Sequence, residues 1–274
     1  MNEFRADLHC HTHCSDGCDA PLVLLHLAKQ AGLQGLSITD HDTIDAYSPD
    51  LFEEAERLGV RLLTGIELSS EQDQNSVHIL GYGIDLASPS LKLFLEEMQR
   101  RRNERNRAIL EKLAKKKLII TEAELIEFAY QGRGKGTIGR PHIAQLMVLK
   151  GYVGSPQDAF LYYLREGASC YAFGIKFSPR EAIEQIRLAK GKAVLAHPHY
   201  LKGGSLKRKL LDLPFDGIEC YYGTLPKALE LPWLKVAKEK NWIATGGSDY
   251  HGHLKQTIPL GSSWVNQHTF EALQ

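Results

Sequence analysis

Short apolar runs alternate with amphipathic segments through residues 1–85. Apolar runs of strand length occupy residues 36–39, 60–68 and 77–82. Helical patterns, each with a proline near its start and a glycine after its end, occupy residues 21–31 and 48–59. Strands that alternate with helices of about three turns form βα units, which place the strands in a parallel sheet.

The middle of the chain has a different pattern. Residues 91–115 and 141–150 have helical periodicity, and Thr121 with Glu124 forms a capping-box pattern. The βα rhythm then returns, with strands predicted at residues 192–196, 217–221 and 242–245. We therefore expect an α/β barrel formed by residues 1–89 and 168–274, with residues 90–167 as a helical insertion.

Composition narrows the class of protein. The chain has 33 basic and 33 acidic residues. This balance disfavours a globally basic nucleic-acid-binding protein but does not exclude a local basic patch. The five cysteines suggest no disulfide framework, and no apolar run approaches the roughly 20 residues that span a bilayer. These features, with no apolar signal segment at the N-terminus, predict a cytoplasmic protein without a membrane partner. The sequence indicates no obligate protein partner.

Histidines and carboxylates cluster at the predicted strand ends. In an extended segment His9 and His11 project to the same side, so both imidazoles can bind one ion. Barrel enzymes place their chemistry at the carboxyl ends of several strands. Nine candidate metal ligands follow this rule: His9, His11, Asp16, His41, Glu67, His78, His197, Asp249 and His251.

A lone histidine near a strand end is more often structural than a ligand. The chain, however, has six groups of histidine or carboxylate residues at or near predicted strand ends, which are hard to explain as core histidines. Imidazole mixed with carboxylate suits zinc, manganese or iron rather than calcium. Nine ligands are too many for one ion and fit two or three. Such ions would bind phosphate oxygens and activate a bridging hydroxide as the nucleophile, with Glu67 as a plausible bridging ligand.

Six segments in order resemble the PHP (polymerase and histidinol phosphatase) family of metallophosphoesterases: DLHCHTHCSDG, LSITDHDT, GIELS, VHILGYGID, AVLAHP and GSDYHG. The resemblance implies the PHP fold, a distorted (β/α)7-type TIM-like barrel. The branch with a helical insertion is most similar, through residues 101–105, 139–142 and 217–221. Its members act on nucleotide phosphates, including nucleoside 3′,5′-bisphosphates, and some trim RNA from the 5′ end.

The resemblance also implies a trinuclear centre containing manganese, zinc or iron. Glu67, His197 and Asp249 would be the catalytic residues within it. One ion would be held by His9, His11, Glu67 and Asp249, a second by Glu67, His78 and His197, and a third by Asp16, His41 and His251.

Basic residues of the insertion are the candidates for binding substrate phosphate: Arg102, Arg105, Arg140 and His142. The planar guanidinium fork can bind two phosphate oxygens at once. For the arginines of residues 99–107, a solvated helix face is the alternative. The glycine-rich loop 132–136, with Arg133 and Lys135, is interpreted as a surface loop rather than a flap.

Three functions remain open from the sequence. The favoured one is a phosphatase for nucleotides, with possible action on short RNA ends. The second is a phosphatase for another metabolite, such as histidinol phosphate. The third is a metal-binding module without catalytic activity.

Overall fold

A computed structural model describes residues 3–131, 136–174, 177–255 and 257–274. The loop predicted around Arg133 and Lys135 lies outside these residues. Eight strands are found in the described ranges: β1 Ala6–Cys10, β2 Gly35–Ile38, β3 Arg61–Leu62, β4 Gly65–Gln72, β5 Asn75–Tyr82, β6 Lys192–Leu195, β7 Gly217–Tyr222 and β8 Ile243–Gly247. The α-helices there are α1 Pro21–Gln30, α2 Pro49–Leu58, α3 Pro89–Lys115, α4 Glu122–Tyr130, α5 Arg140–Leu149, α6 Pro156–Ala159, α7 Pro179–Leu188, α8 Gly204–Leu211, α9 Lys227–Lys240 and α10 Gln267–Ala272.

The strands form a mixed α/β fold with two sheets. One sheet is parallel and has the order β1-β2-β3; the other has the order β4-β5-β6-β7-β8, in which β6, β7 and β8 are parallel. Isolated bridges connect Cys10 of β1 with Tyr250, just after β8, and His41, just after β2, with Glu67 of β4, so the first sheet meets both edges of the second. The parallel βα arrangement is confirmed, whereas a closed barrel is not shown.

Two strand pairings differ from the prediction, because β5 is antiparallel to β6 as well as to β4. Strands β4 and β5 form an antiparallel hairpin, not two members of a parallel sheet. Asp73 and Gln74 at its turn both have positive φ, 52° and 64°, which suits a tight two-residue hairpin loop. The sequence pattern missed the hairpin because its tip is polar, so the strands extend beyond their apolar runs.

The helical region was predicted more closely. Helix α3 is continuous over 27 residues. The Thr121–Glu124 capping box at the start of α4 is confirmed. Helices α3, α4, α5 and α6, with the π-helical turn Phe160–Leu164, share a hydrophobic cluster that includes Ile109, Leu125, Ile143 and Met147. The division into barrel and insertion at residues 90 and 167 stays a prediction.

None of the helices in the described part of the chain combines the length and the apolar composition that a membrane span requires.

Candidate metal centre

Glu67 lies at the middle of the histidine cluster. It projects from β4 and is only 1% exposed. Its two carboxylate oxygens are approached by imidazole nitrogens of five histidines, at distances between 2.9 and 3.3 Å: His9, His11 and His41 at Oε2, and His78 and His197 at Oε1. A single carboxylate therefore joins residues from both sheets.

Two aspartates flank this arrangement on either side of His11. Asp249 Oδ1 lies 3.3 Å from Nε2 of His11 and 3.5 Å from Nε2 of His9. Asp16 Oδ1 lies 3.4 Å from Nε2 of His251, and Asp16 Oδ2 lies 3.8 Å from Nε2 of His41. All nine residues predicted from the sequence thus converge on one location, and their role as ligands remains a prediction.

The donor atoms fit metal ions. Three groups have their ligand atoms within 4.8 Å of one another: His11, Asp16, His41 and His251; His9, His11 and Glu67; and His41, Glu67 and His78. These groups differ from the predicted division, because His11 and His41 each belong to two of them. Within the described residues, Nε2 of His9, Nε2 of His11 and Nδ1 of His41 each lie within 3.3 Å of Oε2 of Glu67, but these four buried atoms lack the geometry of a hydrogen bond. Leaving such buried atoms unpaired is costly, and cations would satisfy them.

The charges of the cluster favour cation binding. Burial alone would raise the pKa of Glu67, but His41, His9 and His78 hold that pKa well below its usual range. Burial opposes ionisation of Asp16 too, yet His41 and His251 keep its pKa well below the usual range. Burial lowers the pKa of His41 well below its usual value and so favours the neutral imidazole, while Glu67 and Asp16 favour the charged form. Ionised carboxylates and neutral imidazole are the forms that bind metals.

Two of the candidate ligands have strained backbones. His197 has φ 25° and Asp249 has φ 56°, in the region that residues with a Cβ rarely adopt. Both are held by strong contacts: the N–H of His197 donates to Glu219 Oε2 at 2.6 Å, and the N–H of Asp249 donates to the carbonyl of His9 at 2.7 Å. Such strain concentrates at functional sites.

A cavity of about 200 Å³ opens beside the cluster, and we call it the arginine cavity. Asp16, His41 and His78 line it. Three arginines of the helical region also line it: Arg102, Arg105 and Arg140. The cavity therefore joins a candidate metal centre to three cationic side chains.

Arg102 and Arg105 are buried, Arg140 is partly buried, and the surroundings of the first two differ. Arg102 donates through Nε to Asp42 Oδ2 at 2.6 Å and through a terminal nitrogen to Ser69 at 2.8 Å. Burial, and then the nearby Arg102 and Arg140, hold the pKa of Arg105 well below its usual range, and its Nε is buried without a hydrogen-bond partner in the described residues. An anion in the cavity would relieve this repulsion.

His142 is positioned differently from the other predicted phosphate-binding residues. It is buried, and its Nδ1 accepts a hydrogen bond from the N–H of Gly139 at 3.1 Å, which caps the start of α5. It is absent from the described lining of the arginine cavity. The ring of His142 therefore caps α5, and its predicted role in binding substrate phosphate stays a prediction.

Comparison with known proteins decides the family. Residues 7–162 match the PHP domain. The chain is 33% identical over 252 residues to the 5′-3′ exoribonuclease Rnm of Escherichia coli, covering 89% of this chain and 84% of that protein. This chain belongs to the PHP domain family. The family resemblance inferred from the six sequence segments is thereby confirmed.

Further PHP-related proteins are similar over nearly the full chain. A 3′,5′-nucleoside bisphosphate phosphatase of Chromobacterium violaceum is 31% identical over 273 residues, covering 93% of each chain. A structure from Bifidobacterium adolescentis, described as a metal-dependent phosphoesterase, superposes with a TM-score of 0.87 at 28% identity, covering 98% of this chain and 94% of that one. The predicted enzyme class, a metal-dependent phosphoric ester hydrolase, is confirmed for this PHP protein.

Sequence reasoning missed how several residues support the PHP centre. Glu219 contacts His9 and His197, Asp7 accepts from the backbone N–H of His9, and Tyr222 and Lys255 each donate to Asp249 Oδ2 at 2.6 Å. Glu219 lies in β7 within GIECY, where alternation from the strand end could have indicated an inward side chain. The contact of Lys255 with Asp249 depends on the conformation of the turn after β8. No hydrophobic periodicity in the sequence predicts that conformation.

Proposed function

We propose that this PHP hydrolase removes phosphate from nucleotides, taking nucleoside 3′,5′-bisphosphates or monophosphates, and also acts on 5′ ends of short RNA. One observation carries the proposal: the arginine cavity is lined both by candidate metal ligands and by three guanidinium groups. A substrate with two phosphates could place one at the cluster and the other among the arginines. The names of the Escherichia coli and Chromobacterium violaceum relatives support this substrate class.

We further propose that the nine converging residues hold two or three manganese, zinc or iron ions. The donor set supports this, because it mixes imidazole with carboxylate and exceeds the needs of one ion. Bound ions would polarise the phosphate and supply an activated water nucleophile. The distorted (β/α)7-type barrel and a substrate-binding insertion over residues 90–167 belong to the same proposal.

Different side chains of the site have different roles in this proposal. Glu67 orients five imidazoles from both sheets. Arg105 and Arg140 line the cavity and would hold phosphate oxygens. Tyr222 and Lys255 fix the carboxylate of Asp249, so that its other oxygen faces His9 and His11.

A substrate panel tests the proposal. Manganese-loaded protein is assayed for phosphate release from a nucleoside 3′,5′-bisphosphate, a nucleoside monophosphate and histidinol phosphate, and for shortening of a 5′-phosphorylated oligoribonucleotide. Among the three small molecules, we expect the nucleoside bisphosphate to have the highest kcat/KM. The Glu67→Gln variant should lose this activity. Preference for histidinol phosphate would favour the metabolite phosphatase. Two or more bound ions without turnover of any substrate would favour the non-catalytic module.

A further inference from the structure

A second cavity, of about 240 Å³, opens on the other side of Arg140; we call it the tyrosine cavity. It shares Ser76, His78 and Arg140 with the arginine cavity. His197, which contacts Glu67 at 2.9 Å, also lines it. The candidate metal centre is thus reached from two sides, by cavities that meet at His78.

Tyr200 forms a wall of the tyrosine cavity. It ends the short turn Pro198–Tyr200 that follows His197, and its ring lies 4.2 Å from the ring of His199 and 5.6 Å from that of His197, centroid to centroid. Its hydroxyl donates to the hydroxyl of Tyr222 at 3.3 Å. Contacts on several sides hold the ring in place.

Tyr200 is nevertheless 58% exposed, although its ring contacts both His197 and His199. The charged residues that line the same cavity are Arg140, Lys202 and Glu166. The carboxylate of Glu166 accepts a hydrogen bond from the N–H of Ser76 at 3.0 Å. Two cations beside an open aromatic ring are typical of surfaces that bind single-stranded nucleic acid, by stacking a base and pairing with phosphates.

We propose that the tyrosine cavity is a subsite for the nucleoside that follows the scissile phosphate in an RNA strand, with its base stacked on Tyr200. The nucleotide on the other side of that phosphate would occupy the arginine cavity. This inference rests on the proposed function, since it assumes that the cluster cleaves phosphate esters. It adds that the chain has a binding site which only substrates longer than one nucleotide can fill.

The test compares two substrates in three variants. KM is measured for a nucleoside 3′,5′-bisphosphate and for a 5′-phosphorylated oligoribonucleotide, with wild-type protein, Tyr200→Ala and Tyr200→Phe. Loss of one base–aromatic contact should raise the ratio of the oligonucleotide KM to the bisphosphate KM roughly 5- to 100-fold in Tyr200→Ala. Tyr200→Phe keeps the ring and should stay near the wild-type ratio. Tyr162→Ala is the matched control, since Tyr162 is also 58% exposed but does not line either cavity.

A binding measurement gives a second readout. Fluorescence anisotropy of a labelled oligoribonucleotide in EDTA should show a weaker Kd for Tyr200→Ala than for Tyr162→Ala, by a similar factor. A ratio of KM values within twofold of wild type, or an unchanged Kd, would overturn the subsite. Wild-type protein that turns over the bisphosphate but never shortens the oligonucleotide would also overturn it, while leaving the phosphatase proposal intact. Failure on every phosphate ester would overturn the proposed function itself.

Discussion

The Nδ1 atom of His9 lies 2.8 Å from Oε1 of Glu219, a residue 210 positions further along the chain. Neither side chain is exposed. The other oxygen of Glu219 accepts the N–H of His197. One buried carboxylate therefore orients two candidate metal ligands, and it turns Nε2 of His9 toward Glu67. Carboxylates in this position fix the tautomer of a ligating histidine and raise its basicity.

Replacing Glu219 with glutamine should weaken metal binding. The side-chain volume is kept while the charge that orients His9 is lost, so affinity for manganese should fall about 10- to 100-fold. Isothermal titration calorimetry on metal-stripped protein measures this directly. Glu127→Gln, at an exposed position in α4, is the control and should titrate like wild type. Equal affinities for the two variants would show that Glu219 does not support the centre.

Removing divalent ions should lower Tm. Ions that bind only the folded chain stabilise it by about 2.7 kcal/mol per site when present at 100 times their Kd. We expect a shift of several degrees between EDTA and manganese in differential scanning fluorimetry, and a smaller shift for His11→Ala. His268→Ala, with an exposed imidazole in α10, should respond like wild type. A Tm indifferent to manganese would contradict the assignment of the cluster as a metal centre.

Arg102 and Arg100 occupy the same helix but should differ sharply in their effect on stability. Arg102 and Asp42 form an ion pair in which both side chains are buried. Arg102→Ala leaves the buried carboxylate of Asp42 without its cation, so it should lower the free energy of unfolding by about 3–5 kcal/mol. Arg100 contacts Glu97 and Glu104 on an exposed face, and Arg100→Ala should change little. Urea unfolding in EDTA compares the two; similar losses would mean that the Arg102 pair is not structural.

Arg140 and His142, two residues apart, should separate substrate binding from folding. Arg140→Ala removes a cation from the cavity, and should raise the KM for a nucleoside bisphosphate about tenfold or more if a charged hydrogen bond is lost. His142→Ala removes the cap of α5 and should lower the unfolding free energy by about 1 kcal/mol or more. A larger KM effect at His142 than at Arg140 would reverse their assigned roles.

The candidate ligands could be predicted because their chemistry and their strand-end positions coincide. His9 lies near the end of β1 and Asp249 follows β8, and both the period of the strand and the rarity of buried charge point to them. The β4–β5 hairpin could not be predicted, because its pairing depends on two left-handed residues, Asp73 and Gln74, that no apolar pattern specifies. Arg102 illustrates a further limit of sequence reasoning. A helical arginine can form an ion pair or bind a substrate, and only the position of Asp42 in the fold distinguishes these two roles.

Hydrogen bonds from Ser248 and Gly261 to Asp7 join residues 241 and 254 positions apart. A nascent chain exposes His9 and His11 early in synthesis, long before Asp249 and His251 leave the ribosome. Ions that arrive during translation would meet an incomplete set of candidate ligands until β8 has docked. Loading of the complete centre would therefore come late in maturation, after these non-local contacts have formed.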